Sequence, residues 1–209
     1  MSGRADRVAL LADAAIALLA GGGMRALTHR AVDARAGVPL GTTSAYLRTR
    51  QALIEAVVRR LVELDRIDLA AHALPADPAA PATARRLDAA DLDRLATGIA
   101  ELLDRWLTAG RDRTLARYAC LLEAVHRPEL RRILEHGTVL RVQARDLLAQ
   151  AGAADPRQQG DQFVAFVDGL LFDRLVGAGA LGAPPPGSPA SRADLRAGVR
   201  AALRAFTGT

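Results

Sequence analysis

Apolar residues recur at helical spacing from one end of this chain to the other, and nowhere do they alternate. Val8, Leu11, Ala12, Ala15 and Leu19 fall on one face of a 3.6-residue period, and Leu53, Ile54, Val57, Val58, Leu61 and Leu64 form a second stripe. Leu92, Leu95, Ile99, Leu102, Leu103 and Trp106 make a third, and Leu115, Tyr118, Ala119, Leu122 and Val125 a fourth. A half-buried strand would show a period of two, and no such run occurs. Aromatics are 3% of the chain, and Ala, Leu and Arg, which lose least on entering a helix, abound. The pattern predicts an all-α protein. A length of 209 residues with 50% hydrophobic residues is enough to bury a core.

Glycine, proline and hydroxyl residues punctuate the stripes. "AGGGM" is expected to stop the first helix near Ala20, since three glycines in a row disfavour it. Thr28 can cap a second short helix that Gly37 ends in the left-handed region. Pro39 then suits the first turn of a third helix, and Thr49 caps a fourth from about Arg50 to Ala71. Pro75, Pro78 and Pro81 mark a surface loop, after which the pattern resumes at Asp88 and turns near Gly110. Pro128 starts a helix reaching about Gln150, Gln158 to Val176 forms the next, and "GAPPPGSPAS" separates it from a last helix, Arg192 to Phe206.

Charge is distributed unevenly along this helical frame. All 28 basic residues are Arg; nine lie in the first 60 residues against four acids, and the other 19 are matched by 19 acids. The whole formal net charge of +5 therefore sits in the first four helices, the electrostatic footprint of a polyanion binder. No run of 18 to 20 uninterrupted apolar residues exists, and Arg4, Asp6, Arg7 and Asp13 interrupt the N-terminal segment. Cys120 is the single cysteine, so no intrachain disulfide forms. The expectation is a cytoplasmic protein with no membrane partner.

Around Gly41 the chain keeps a helical period yet supplies Gly, Thr, Thr and Ser where a core helix would place leucines. Two short helices joined by a tight turn at Gly37 make a helix-turn-helix, whose second helix lies in a DNA major groove. Small side chains let that backbone approach, and the hydroxyls of Thr42, Thr43 and Ser44 suit base edges and phosphates. Tyr46 adds a phenol within reach of phosphate.

Other constellations are weak. His29, His72, His126 and His136 show no i, i+4 pair and no nearby Cys, and only Glu123 and His126 share a helix face. No metal or cofactor is expected. Cys120 reads as a buried, inert thiol. Trp106, Tyr118, Glu123, His126, Phe163 and Phe166 are the large or polar groups on otherwise apolar helices, the composition of a small-molecule pocket. "FVAFVDGLLFDRLV" is apolar nearly all round, as in a helix that is central in a core or shared with a second copy. Two classes stay open on the residues alone: a DNA-binding regulator, and a helical enzyme or ligand carrier with a basic N-terminal part. No convergent set of acid, base and nucleophile favours an enzyme.

From Arg7 to Val58 the sequence resembles the tetracycline-repressor family of bacterial transcription regulators. The resemblance is carried by the alanine-rich first helix, Thr28, "AVDARAGVP", "GTTS", the aromatic Tyr46, and Arg50 followed by "QALI". The family often has an aromatic at Ser44, Phe at Leu47 and Lys at Arg50. The resemblance implies a helix-turn-helix DNA-binding domain over residues 1–49 and a helical regulatory, ligand-binding and dimerisation domain over 50–209. It implies that Thr28, with His29 and Arg30 beside it, meets phosphate. Pro39, Leu40, Gly41, Thr42, Thr43 and Ser44 would face the groove, and Tyr46 and Arg50 would bind phosphate. The implied partners are an inverted-repeat operator in double-stranded DNA, a small-molecule inducer among the aromatic residues named above, and a second copy. The dimer would form through Phe163, Val167, Leu170, Leu171, Arg174, Leu175 and Leu203.

Overall fold

The computed structural model describes residues 2–72, 74, 86–127 and 135–207, all helical or connecting, with no strand among them. The proline-rich loop expected at Pro75, Pro78 and Pro81 and the helix start expected at Pro128 lie outside the described residues. In order the helices are α1 (Ser2–Ala26), α2 (His29–Ala36), α3 (Thr42–Tyr46), α4 (Arg50–Ala71), α5 (Ala89–Leu107), α6 (Arg111–His126), α7 (Glu135–Gln150), α8 (Pro156–Val176), α9 (Gly179–Gly182) and α10 (Pro189–Thr207).

They form two compact units. The first draws its described residues from Met1–Asp65 and Gly110–His136. Its core joins Leu11, Ala15 and Leu19 of α1, Leu27, Val32, Leu47, and Leu53, Ile54, Val57 and Leu61 of α4 to Ala116, Cys120 and Ala124 of α6. At about 25 cal/mol per Å² of apolar surface removed from water, this shared burial is the main force that holds α6 beside α1. Burial pushes the Cys120 thiol up to about 12, with nearby Glu123 adding to the effect, so it stays protonated and inert.

The glycine run does interrupt the first helix, three residues later than the end expected near Ala20, so α1 joins two helical pieces across a kink at Gly23. Only Gly23, at φ 63 and ψ −163, leaves helical geometry. A left-handed φ is open to glycine at little steric cost, which places the kink at Gly23. By length and composition Gly3–Ala26 would also suffice to cross a bilayer, contrary to the count of uninterrupted apolar residues. In this fold its apolar face is buried against the other helices of the unit.

The second unit is built from Arg66–Ala109 and Gly137–Thr209. Here α5 opens on a capping box in which Asp88 and Asp91 accept each other's backbone N–H groups. Its Ala96, Ala100 and Leu103 are buried, as are Leu195, Val199 and Leu203 of α10, which packs against α5. Two buried carboxylates fasten the edges. Asp104 accepts from Gly187 N at 2.9 Å, Ser191 Oγ at 2.8 Å and Arg192 Nη1 at 3.2 Å. Asp68 accepts from Arg105 Nε at 2.8 Å and Trp106 Nε1 at 3.2 Å. Asp68 continues the 3–4 spacing of Leu61 and Leu64, so an acid in an apolar stripe was its visible signal. α8 begins at Pro156, earlier than expected, because Asp155 caps it through Gln158 N. α10 likewise begins at Pro189, with Ser188 Oγ accepting from Ser191 N at 3.0 Å.

Candidate nucleic-acid interface

The reading head is assembled from α2, a turn and α3. Thr28, in extended geometry, accepts from Ala31 N through Oγ1 at 3.1 Å and starts α2. Gly37, at φ 65 and ψ 33, ends it. Val38 N donates back to Asp33 O at 3.0 Å and Gly37 N to Ala34 O at 3.3 Å, closing a Schellman turn. Pro39 does not open α3. Pro39, Leu40 and Gly41 make a second turn, with Gly41 at φ 90, and Thr42 closes it by donating both N–H and Oγ1 to Pro39 O.

One buried carboxylate fixes where α3 begins. Asp33, 2% exposed, accepts from Gly41 N at 2.8 Å, Thr43 N at 2.7 Å and Thr43 Oγ1 at 2.5 Å. Burial alone would raise its pKa. The bonds from the Thr43 hydroxyl and the Thr43 and Gly41 amides, with the nearby His29, outweigh burial and hold it below the ordinary carboxylate range. Asp33 therefore stands ionised at neutral pH as the cap of the reading helix. No periodicity announces this role, because the bonded residues lie eight and ten positions away across two turns.

The structure sorts the expected DNA-binding residues into two groups. Thr28, Arg30, Pro39, Leu40, Gly41 and Ser44 are exposed, and Thr42 and Tyr46 are half-buried. The Arg4 guanidinium stacks over the Tyr46 ring at 5.3 Å from its centre, tying the start of α1 to α3. Exposed Arg7, Arg25, Arg35 and Arg48 add positive charge to the same unit. The other three residues face inward. Thr43 is fully buried and its hydroxyl serves Asp33, so it cannot read a base. His29 Nε2 donates to Leu47 O at 2.7 Å, fastening the end of α3 to α2. The Arg50 guanidinium donates to Leu27 O and Met24 O, carbonyls at the C-terminal end of α1, where the last turn runs out of helical donors. Its expected role on phosphate gives way to that of a clasp. Accordingly, Arg50→Ala is expected to lower the stability of this unit by about 1.5–3 kcal/mol, the usual worth of hydrogen bonds to a charged group. An unchanged denaturation midpoint together with a salt dependence of DNA binding reduced by about one contact would instead return Arg50 to phosphate.

The residues expected around a ligand fall in both units. Trp106 and Phe163 are buried in the second, Trp106 on Asp68 and Phe163 edge-on to Phe206 at 6.4 Å. Phe166 is 40% exposed there. Tyr118 is buried in the first unit, Glu123 accepts from Arg127 Nε at 2.6 Å, and His126 is exposed at the end of α6. An open groove of about 440 Å³ in the first unit, lined by Arg4, Val8, Ala12, Ala56, Arg59 and Glu63 among others, contains none of the six. Among the described residues no three His, Cys, Asp or Glu side chains gather around one metal position.

The expected dimer residues are also redistributed. Phe163, Leu171, Leu175 and Leu203 are 8% exposed or less and already covered by their own chain. Arg174 pairs with Asp194, and Leu170 packs beside Gly198. The large apolar residues that α8 leaves exposed are Phe166, Phe172 and Val176, at 40, 43 and 51%, with Asp168 and Asp173 exposed beside them.

Comparison with known proteins places this arrangement. Residues 90–207, more than half of the chain, match the family model described as tetracyclin repressor-like, C-terminal domain. No curated protein matches. A transcriptional regulator from Rhodococcus sp. Rha1 (RHA1_ro04179) shares the fold at TM-score 0.68 and 20% identity, with 94% of each chain covered. A TetR-family member from Streptomyces coelicolor A3 (SCO1917) is 27% identical at TM-score 0.63, covering 95% of this chain and 97% of its own. The multidrug binding protein EbrR, solved with imidazole, is 28% identical at TM-score 0.60, covering 97% of this chain and 90% of its own. The helix-turn-helix at the N-terminus and the family match over α5 to α10 agree, and the chain belongs to the tetracyclin repressor-like family of ligand-responsive, DNA-binding transcriptional regulators.

Proposed function

We propose that the protein is a homodimeric repressor, acting in the cytoplasm, that holds an inverted-repeat operator and releases it on binding a small molecule. The observation that carries this reading is the α2–α3 head, in which Asp33 holds α3 in place while Leu40 and Ser44 are exposed on a basic unit. Thr28, Arg30 and Tyr46 would meet phosphates, which position the protein, and Pro39 to Thr42 with Ser44 would meet base edges. Two copies related by a two-fold axis present two such heads, so the operator has two inverted half-sites about one helical turn or a multiple apart. Phe166, Phe172 and Val176 supply an apolar face for the second copy. EbrR, 26% identical here, is also solved with ethidium, which makes aromatic cations the first compounds to screen.

The test is a selection of bound duplexes from random DNA, then titration of a screened ligand with and without the selected duplex. One inverted repeat should emerge, and the duplex should weaken the ligand by the factor by which the ligand weakens the duplex, about 5- to 150-fold. Failure to enrich any sequence would reject DNA reading. Equal ligand affinity in both titrations would reject release by that ligand.

A further inference from the structure

We infer that the reading helix chooses its operator through the 5-methyl groups of thymines, with Leu40 as the side chain that meets them; this rests on the DNA-binding reading above. Base pairs present hydrogen-bonding groups in the major groove, and thymine alone adds a methyl group there. Reading guanine or adenine by paired hydrogen bonds takes Arg, Lys, Asn or Gln. From Pro39 to Tyr46, "PLGTTSAY", there is no charged or amide side chain at all.

The hydroxyls and amides of the segment are mostly committed inside the protein. Thr43 Oγ1 and the N–H groups of Thr43 and Gly41 serve Asp33, and Thr42 N and Oγ1 serve Pro39 O. Ser44, exposed, remains to offer a hydroxyl. Apart from the Tyr46 phenol, which is given to phosphate, what the segment turns outward beyond that is hydrocarbon, with Leu40 at 72% exposure in the turn that leads into α3, and Pro39 and Ala45 also exposed. One exposed leucine is unremarkable on a surface. At the entry to a reading helix that has few free polar groups, however, it is the largest exposed apolar side chain of the segment from Pro39 to Tyr46. Its match there is the thymine methyl.

The full-length protein is first used to select duplexes from random DNA. The enriched duplex is then compared, by fluorescence anisotropy, with the same duplex carrying deoxyuridine at one thymine position of each half-site at a time, which removes the methyl and leaves pairing intact. At the contacted position, binding should weaken about fourfold per methyl, the worth of one buried methylene, and about fifteenfold for the two half-sites together. Leu40→Ala, with unchanged thermal melting, should bind the thymine and deoxyuridine duplexes equally, and Leu40→Arg should select guanine at the same position. Equal affinity of the unaltered protein for both duplexes, discrimination that survives in Leu40→Ala, or a consensus fixed by guanines without an invariant thymine would each overturn the inference while leaving sequence-specific binding intact. Failure to enrich any sequence would remove the DNA-binding reading and this inference with it.

Discussion

Replacing Asp33 by alanine should destabilise the first unit by about 2–5 kcal/mol and abolish operator binding, because it strands the buried Thr43 hydroxyl and amide without an acceptor. The start of α3 then has nothing to fix its register, and a reading helix of five residues has too few internal bonds to hold itself. Adding Thr43→Val to Asp33→Ala should recover about 1–2 kcal/mol, since removing both members of a polar pair spares the cost of leaving one unsatisfied. The pH response has a definite sign. A carboxylate whose folded pKa is depressed contributes stability that is fully present above its unfolded value, about 4, and is lost as pH falls through the lower folded value. Asp33→Asn at neutral pH should reproduce the acid-weakened state. Denaturant unfolding followed by circular dichroism, with titration of the selected duplex, decides it: Asp33→Ala with parental stability and affinity would show that α3 needs no cap.

The second large effect concerns the proposed dimer. Phe172→Glu combined with Val176→Glu places four carboxylates in the two-fold face, and desolvating unpaired charges costs several kcal/mol per ion. Dissociation should tighten against assembly by about a thousandfold or more, giving a 22.0 kDa particle by light scattering at micromolar concentration. Both residues are exposed in one copy, so the folded monomer should survive with unchanged helicity. A dimer that persists would move the interface away from this face of α8. By contrast, glutamates at Leu171 and Leu175, which are buried, would simply disrupt the second unit.

How much of this was legible in the sequence depends on how far apart the interacting groups lie. Thr28, Gly37, Thr49 and Asp88 were readable because each bonds to backbone within a few residues, and local chemistry determines such ends. The onset of α3 was misplaced because Pro39 suits a first turn, whereas the left-handed Gly41 and the reach of Asp33 across ten residues settle it three residues later, at Thr42. Thr43 read as a groove residue for the same reason: its hydroxyl looks free until its distant partner is known. The C-terminal part of α8 was apolar nearly all round, and with so few polar positions the sequence does not tell which side is inside, so Leu171 and Phe172 could not be separated. The sequence placed a division between residues 49 and 50 by expected role, whereas packing groups most of α4 and all of α6 with α1 to α3.

That grouping has a consequence for how the protein is made. The core that receives Leu11, Ala15 and Leu19 is closed by Ala116, Cys120 and Ala124, about half the chain later. At roughly 5–20 residues per second of synthesis, several seconds pass between the emergence of α4 and that of α6. Through that interval the ribosome carries a long apolar N-terminal helix whose packing partner α6 has not yet been made, and contacts so distant in sequence close slowly even once it arrives. A fragment ending after α4 would keep every residue proposed to meet DNA and still be an aggregation hazard, and synonymous codons between residues 65 and 126 that slow translation should lower the soluble yield without altering a single amino acid.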